Sequence, residues 1–210
     1  MSDEKDLNVD TAYALESPDD NRALYAKWAQ TYDRSFAEAL DFLMPRHVAR
    51  IFREEGGIGP VLDVGAGTGL VAAALQEKGI TEVDGLDISP EMLQVATAKG
   101  LYRNTFVADL TRKLPLQDAL YSGITSSGTF THGHVGPEAL DELLRISMPA
   151  ALFVLTIKTE HFFERGFVEK FESLGEQITD FSKESLPIYG AGADSGRAQD
   201  EGLVVRFRRA

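Results

Sequence analysis

The stretch VLDVGAGTG at residues 61–69 constrains the fold of this chain more than any other segment. A short run suited to a buried strand leads directly into glycines at positions 65, 67 and 69. A helical pattern then begins at Leu70, and Gly79 provides its C-terminal stop. Strand, glycine turn and helix in this order predict the ligand-binding turn of an α/β sheet, where glycine allows positive φ angles and a close backbone approach.

The remainder of the chain continues to alternate between strand and helix patterns. Further strands are predicted at residues 81–86, 105–108, 120–125 and 150–157, and further helices at residues 89–100, 137–146 and 160–174. Such alternation implies right-handed crossovers and a parallel sheet covered by helices on both faces. Two final strands, at residues 177–189 and 203–208, indicate an antiparallel hairpin at the sheet edge. The predicted fold is therefore α/β and Rossmann-like: a doubly wound, mostly parallel seven-stranded sheet with N-terminal capping helices.

A helical segment precedes the first strand, over residues 17–55. Leu24, Tyr25, Trp28 and Tyr32 recur at spacings of three and four, which is typical of one helix face. Two interpretations of these aromatic residues stay open, namely core packing or a lid over a ligand, and we expect Tyr32 to face a pocket. The predicted division is an N-terminal extension and helical cap at residues 1–55 and a ligand-binding domain at residues 56–210.

Composition excludes several classes of function. The chain contains no cysteine, which removes disulfides, thiolate metal sites and cysteine nucleophiles and fits a cytoplasmic location. Its formal net charge of -12 opposes binding to nucleic acid and to anionic membrane surfaces. The acidic N-terminal residues do not resemble a signal peptide. The longest uncharged apolar stretch, residues 146–157, is too short to span a bilayer.

Acidic residues at the ends of three successive predicted strands indicate what the glycine turn binds. Leu70 occupies the place of the third glycine of a dinucleotide fingerprint, which disfavours a diphosphate. Asp63 would repel a diphosphate but suits a cationic ligand. Asp87 lies where a carboxylate can accept hydrogen bonds from ribose hydroxyls, and Asp109 lies where one can accept from an adenine amino group. This pattern favours an amino acid joined to an adenosine.

With the motifs VLDVGAGTG, GLDISPEML, ADL and LPLQDALYSGITSSGTF, the chain resembles class I S-adenosylmethionine-dependent methyltransferases. The last motif looks particularly like the Williams-Beuren region methyltransferase-like group and its bacterial relatives. The resemblance implies S-adenosyl-L-methionine as cofactor and S-adenosyl-L-homocysteine as product. It implies that the following residues contact this cofactor: Asp63, Gly65, Ala66, Gly67 and Gly69 at the methionine end, Asp87 at the ribose, Ile88, Met92, Asp109 and Leu110 at the adenine, and Ser126 near the acceptor.

Methyl transfer from a sulfonium requires mainly positioning and desolvation, with a base only where the acceptor must lose a proton. His132 follows the fourth strand and is a candidate base, with His134 a weaker one. The alternative is that each is a polar or capping histidine. We expect no metal site, because two histidines without a nearby carboxylate make a poor ligand set.

Three functions remain open on the sequence. The first is a methyltransferase that acts on a small-molecule acceptor by in-line transfer. The second is a non-catalytic S-adenosylmethionine-binding regulatory protein, and the third is a dinucleotide-dependent oxidoreductase. The sequence carries no prediction of an oligomeric state.

Overall fold

The computed structural model of this chain describes residues 18–130, 135–191, 197 and 199–210. Its centre is a seven-stranded sheet with the strand order β3-β2-β1-β4-β5-β7-β6. The strands are β1 (Val61–Val64), β2 (Val83–Asp87), β3 (Thr105–Val107), β4 (Tyr121–Phe130), β5 (Ser147–Ile157), β6 (Ile178–Pro187) and β7 (Glu201–Arg209). The first five strands pair in parallel, whereas β7 pairs antiparallel with both β5 and β6. The predicted fold class is confirmed.

Helices cover both faces of the sheet. They are α1 (Pro18–Trp28), α2 (Met44–Glu54), α3 (Leu70–Glu77), α4 (Pro90–Ala98), α5 (Ala139–Ile146), α6 (Thr159–Glu164) and α7 (Phe167–Leu174). A π-helical segment, Asp33–Glu38, lies between α1 and α2, and a 3-10 turn, Gly175–Gln177, follows α7. One core forms between the sheet and α5 to α7, and a second between the sheet and α2 and α3.

Local sequence explains where these elements begin and end. All four residues of β1 are buried, as a central parallel strand requires. The Ser89 hydroxyl accepts a hydrogen bond of 3.2 Å from the Met92 amide and so caps α4, which has proline at its first position. The single helix predicted at residues 160–174 is wrong, because Gly166, with φ +79°, separates α6 from α7. Strand β4 is longer than predicted, since Phe130 still pairs with Ile157.

The N-terminal aromatic residues form a third, smaller core. Trp28 is only 2% exposed, and its ring meets that of Tyr32 edge-on at 5.1 Å. Phe36 and Phe42 extend this cluster to Tyr189, which follows β6. Helix α2, in contrast, packs within the second core of the sheet. Residues 18–43, which precede α2, therefore form a layer outside the two main cores, the N-terminal layer.

No helix within the described ranges is both long enough and apolar enough to cross a membrane.

Candidate functional site

A cleft opens at the carboxyl ends of β1, β2 and β3. The glycine turn after β1 forms one wall, the start of α4 a second, and the end of β4 a third. The lining residues are Tyr25, Tyr32, Phe42, Pro45, Gly65, Ala66, Gly67, Thr68, Leu70, Val71, Leu86, Asp87, Ile88, Met92, Ala108, Asp109, Leu110, Ser127, Gly128, Thr129 and Val135. The cleft lies at the position that the strand-turn-helix motif predicts for a ligand.

Each glycine of the turn is favoured at its position for a different structural reason. A Cβ atom on Gly65 would lie 1.9 Å from the Thr129 hydroxyl, so this position has no space for a side chain. Gly67 has φ +51°, and a Cβ there would meet nothing closer than the Gly65 carbonyl at 3.9 Å. Gly67 therefore presents bare backbone to the cleft. Gly69, with φ +92°, begins α3, and its Cβ would collide with Leu101 at 2.6 Å.

Asp87 joins the glycine turn to the beginning of α4. One carboxylate oxygen accepts from the Gly67 amide at 2.7 Å and the other from the Ser89 amide at 2.8 Å. Burial raises the pKa of Asp87, while its bonds to backbone N–H groups oppose that change. A carboxylate has about four acceptor positions, so the two bonds leave capacity for donors in the cleft.

The apolar part of the cleft contains three residues predicted to pack against an adenine or contact its edge, namely Ile88, Met92 and Leu110. Asp109 lines the cleft as well. One of its oxygens accepts from the Thr111 amide at 2.9 Å and from the Thr111 hydroxyl at 2.7 Å. Asp109 thus stabilises its own turn in addition to facing the cleft.

Three of the predicted ligand contacts lie behind the cleft wall instead of in it. Asp63 is fully buried and accepts a hydrogen bond of 2.7 Å from the Tyr102 hydroxyl. Burial raises the pKa of Asp63 to about 7, against the opposing effect of that bond. Ser126 is also fully buried, and its hydroxyl donates to the Val64 carbonyl at 2.7 Å. Neither residue, nor Gly69, lines the cleft.

The hydroxyl of Ser127 is a feature of the site that was not among the cofactor contacts implied by the resemblance. Its oxygen is buried, and it has no hydrogen-bond partner among the described residues. The residue lines the cleft at the end of β4. Because buried polar groups in folded proteins are nearly always paired, this hydroxyl is suited to a ligand atom.

A second cleft adjoins the first. The residues that line both are Tyr25, Tyr32, Phe42 and Gly128. The other lining residues are Trp28, Phe36, Met44, Thr156, Ile157, Lys158, Glu160, Ile188, Tyr189, Gln199, Asp200, Glu201 and Gly202. This cleft lies between the N-terminal aromatic cluster, the end of β5 and the β6–β7 hairpin. The pocket-facing position predicted for Tyr32 agrees with its place in both walls.

Gly128 lies where the two clefts meet. Its φ is +86°, and a Cβ atom at this position would have nothing within 4 Å. Its amide donates a hydrogen bond of 2.9 Å to the Thr156 hydroxyl, which fixes the backbone at the end of β4. The junction between the clefts is therefore bounded by backbone at this residue, without a side chain.

An ion-paired contact fastens the N-terminal layer to the glycine turn. The Thr68 hydroxyl donates to Asp33 at 2.5 Å, and the Lys99 ammonium pairs with the same carboxylate. Lys99 also donates to the Thr68 carbonyl at 2.7 Å. No pattern in the sequence predicted this contact, which joins residues 35 positions apart.

His132 and His134 lie outside the described residues, so the prediction of a base at His132 stays a prediction. Within the described ranges, no three histidine, aspartate or glutamate side chains converge as ligands for a metal ion.

Known proteins are similar to this chain over the sheet and its glycine turn. Residues 61–150 match the family model described as "Methyltransferase domain". The human protein named Methyltransferase-like protein 27 is 34% identical over 140 residues, which is 64% of this chain and 56% of that protein. The chain thus spans little more than half the length of this relative.

Solved structures share the fold at low sequence identity. One is a SAM-dependent methyltransferase of Thermotoga maritima, with a TM-score of 0.65, 16% identity, and coverage of 90% of this chain and 99% of that one. Another comes from the complex of the Haloferax volcanii Trm112 methyltransferase activator with its candidate methyltransferase, with a TM-score of 0.64, 21% identity, and coverage of 89% and 97%. At these identities the likeness concerns the fold.

Proposed function

We propose that this chain, which has the fold of class I S-adenosylmethionine-dependent methyltransferases and matches a methyltransferase domain over residues 61–150, transfers a methyl group from S-adenosylmethionine to a small molecule. The observation that carries the proposal is the pair of clefts that meet at Gly128. One cleft has the chemistry of the cofactor, and the other has room for an acceptor. A methyl group has to pass between two such sites.

The side chains of the first cleft fit the cofactor part by part. The bare backbone of Gly67 permits close approach of a ligand, as the methionine end requires. The Asp87 carboxylate retains acceptor capacity for ribose hydroxyls. Ile88, Met92 and Leu110 supply apolar surface for a purine. The Ser127 hydroxyl, which has no hydrogen-bond partner within the described part of the chain, is suited to a further polar contact.

The geometry also indicates what the residues of this chain contribute to the reaction. When bound, S-adenosylmethionine supplies a methyl group on a positively charged sulfur. Gly128 leaves the path between the clefts open, because no side chain projects from it. The aromatic side chains of Tyr25, Tyr32 and Phe42 line both clefts and give the path an apolar lining. Positioning and desolvation of this kind account for most of the rate enhancement in such transfers.

We propose His132 as a base for acceptors that must lose a proton during transfer. Its place after β4, which ends at the junction, supports this role. The variant His132→Ala should then lose most of its methyl-transfer rate and retain its affinity for the product cofactor. A rate unaffected at any pH would make His132 a residue without a role in proton transfer.

A small acceptor is favoured over a macromolecule by the form of the second cleft. Its walls come from the N-terminal layer, the end of β5 and the β6–β7 hairpin, so the site lies beneath secondary structure instead of on an open surface. The net charge of -12 further disfavours a nucleic acid as acceptor.

Calorimetric titration with S-adenosylmethionine, S-adenosylhomocysteine and NAD tests the proposal against its rivals. We expect micromolar binding of the first two and none of NAD. Binding of NAD alone would establish the oxidoreductase alternative. Binding of the methionine cofactors by a protein whose second cleft accepts no ligand would favour the non-catalytic alternative.

A further inference from the structure

The walls of the second cleft combine aromatic rings with carboxylates, and both kinds of group attract positively charged ligands. We propose that the acceptor is an amine carried on an apolar body, which enters the second cleft and is methylated on nitrogen. The proposal rests on the methyltransferase function proposed above. It adds the substrate class, which the match to a methyltransferase domain leaves open.

Aromatic rings form the wall of the second cleft next to the junction. The side chains concerned are Tyr25, Trp28, Tyr32, Phe36, Phe42 and Tyr189. Trp28 stacks on Tyr25 with 6.1 Å between ring centroids and meets Tyr32 at 5.1 Å, so the rings form a continuous surface. The faces of such rings carry negative potential and attract ammonium groups, and this attraction is strongest where water is excluded.

Another part of the lining carries a negative excess of charge. Among the described residues, Glu160, Asp200 and Glu201 line it beside one ammonium group, that of Lys158. The three carboxylates belong to exposed residues, and Glu201 accepts a hydrogen bond of 2.6 Å from the Ser185 hydroxyl. Lys158 lies 3.8 Å from Glu160, so its charge is already offset by that carboxylate. Asp200 and Glu201 leave a surplus that attracts a cation and repels a carboxylate or phosphate acceptor. The aromatic rings and the carboxylates of this cleft thus both favour a positively charged ligand.

The transfer step balances for this substrate class. The amine enters as an ammonium ion and releases one proton to solvent before transfer, which frees the nitrogen lone pair. That pair forms the new bond to the methyl carbon as the bond between carbon and sulfur breaks. The electrons of the broken bond stay on sulfur, which becomes a neutral thioether. The product is a methylated ammonium ion, whose charge the aromatic rings and carboxylates stabilise.

Trp28 makes the proposal directly measurable. It is the only tryptophan of the chain, and it lines the second cleft, so its fluorescence reports ligands bound there. The probes are phenethylamine, phenethyl alcohol and hydrocinnamate, which share a phenyl ring and differ in the charge of the end group. Each is titrated into the protein saturated with S-adenosylhomocysteine. We expect phenethylamine to bind about tenfold more tightly than the alcohol, and hydrocinnamate to bind most weakly.

A charge-neutral variant and a matched control test the cause of this preference. The variant combines Glu160→Gln, Asp200→Asn and Glu201→Gln. The control combines Glu164→Gln, Glu169→Gln and Glu172→Gln, which removes the same charge from exposed positions outside both clefts. The variant should lose most of the preference for the amine and keep its affinity for the alcohol, whereas the control should match the unmodified protein.

Three results would overturn the proposal. They are equal or tighter binding of the alcohol or the carboxylate, absence of amine binding in the presence of the product cofactor, and an unchanged preference in the charge-neutral variant. Failure of the proposed methyltransferase function is recognised separately, because the protein would then bind no S-adenosylhomocysteine, or would bind it while none of the three probes enters the second cleft. Thermal unfolding of both triple variants shows whether they remain folded.

Discussion

The carboxylate of Asp33 accepts a hydrogen bond of 2.5 Å from the hydroxyl of Thr68. Thr68 belongs to the glycine turn and lines the first cleft, whereas Asp33 begins the π-helical segment of the N-terminal layer. The contact thereby connects the layer over the second cleft to the turn beneath the first. Lys99 reinforces it by contacting both residues.

Removal of this contact should loosen the N-terminal layer. We expect Asp33→Ala to cost about 1 to 2 kcal/mol of stability, because it leaves a partly buried hydroxyl and ammonium without their shared acceptor. Hydrogen exchange should become faster in the amides of α1 and the π-helical segment and stay unchanged in β1. Glu38→Ala, at an exposed position of the same segment, is the control. Equal protection of the layer in both variants would contradict the connection.

Asp87 should be the main polar determinant of cofactor affinity. Asp87→Ala removes acceptors from ribose hydroxyls and also releases the Gly67 amide, at a cost of roughly 1.5 to 3 kcal/mol of binding free energy. The dissociation constant of S-adenosylhomocysteine, measured by calorimetry, should therefore rise on the order of tenfold to a hundredfold. Asp87→Asn retains one oxygen acceptor and should therefore lose less affinity for S-adenosylhomocysteine than Asp87→Ala. An affinity unchanged by Asp87→Ala would restrict the carboxylate to its role in the loop.

Gly128 should control the passage between the clefts, and Gly79 provides a matched control. Both have positive φ, +86° and +79°, and a Cβ atom on either has nothing within 4 Å. Alanine at either position should therefore cost a similar 1 to 2 kcal/mol, approximately, through backbone strain. Only Gly128→Ala places a methyl group in the junction, so only this variant should lose methyl-transfer rate, on the order of a hundredfold. Equal rates in the two variants would exclude a passage at Gly128.

Much of this architecture could be predicted from the sequence, because its signals are local. A buried run, a glycine turn and a helix start are contiguous in residues 61–79, and the proline and serine at the start of α4 are adjacent. The strand order and the antiparallel hairpin follow from the general rules that govern alternating strands and helices.

What could not be predicted depends on contacts between distant segments. Leu62 and Val64 pack in the core of one sheet face, whereas Val61 packs in the core of the other. Asp63 consequently shares the face of Val61 and meets Tyr102, a partner that lies 39 residues away. A carboxylate at the end of a strand suggests a ligand, but the register of the strand decides which face it occupies.

Because Asp63 is buried, the protein should become less stable as the pH rises. Its pKa is about 7 in the folded protein against an ordinary 3.8, so the folded chain keeps a proton that the unfolded chain releases. The free energy of unfolding should therefore decrease as pH rises from about 4 to about 7, by on the order of 4 kcal/mol from this group. In Asp63→Asn this component should vanish. Denaturant unfolding of both proteins over that range measures it, and parallel profiles would contradict the assignment.

A crystal structure of the protein with S-adenosylhomocysteine bound would show how the cofactor lies relative to the two clefts. We expect ribose hydroxyls within hydrogen-bonding distance of Asp87, a purine between Ile88 and Leu110, and the sulfur atom beside Gly128, directed into the second cleft. A cofactor bound with its sulfur turned away from Gly128, or bound outside the first cleft, would contradict this expectation.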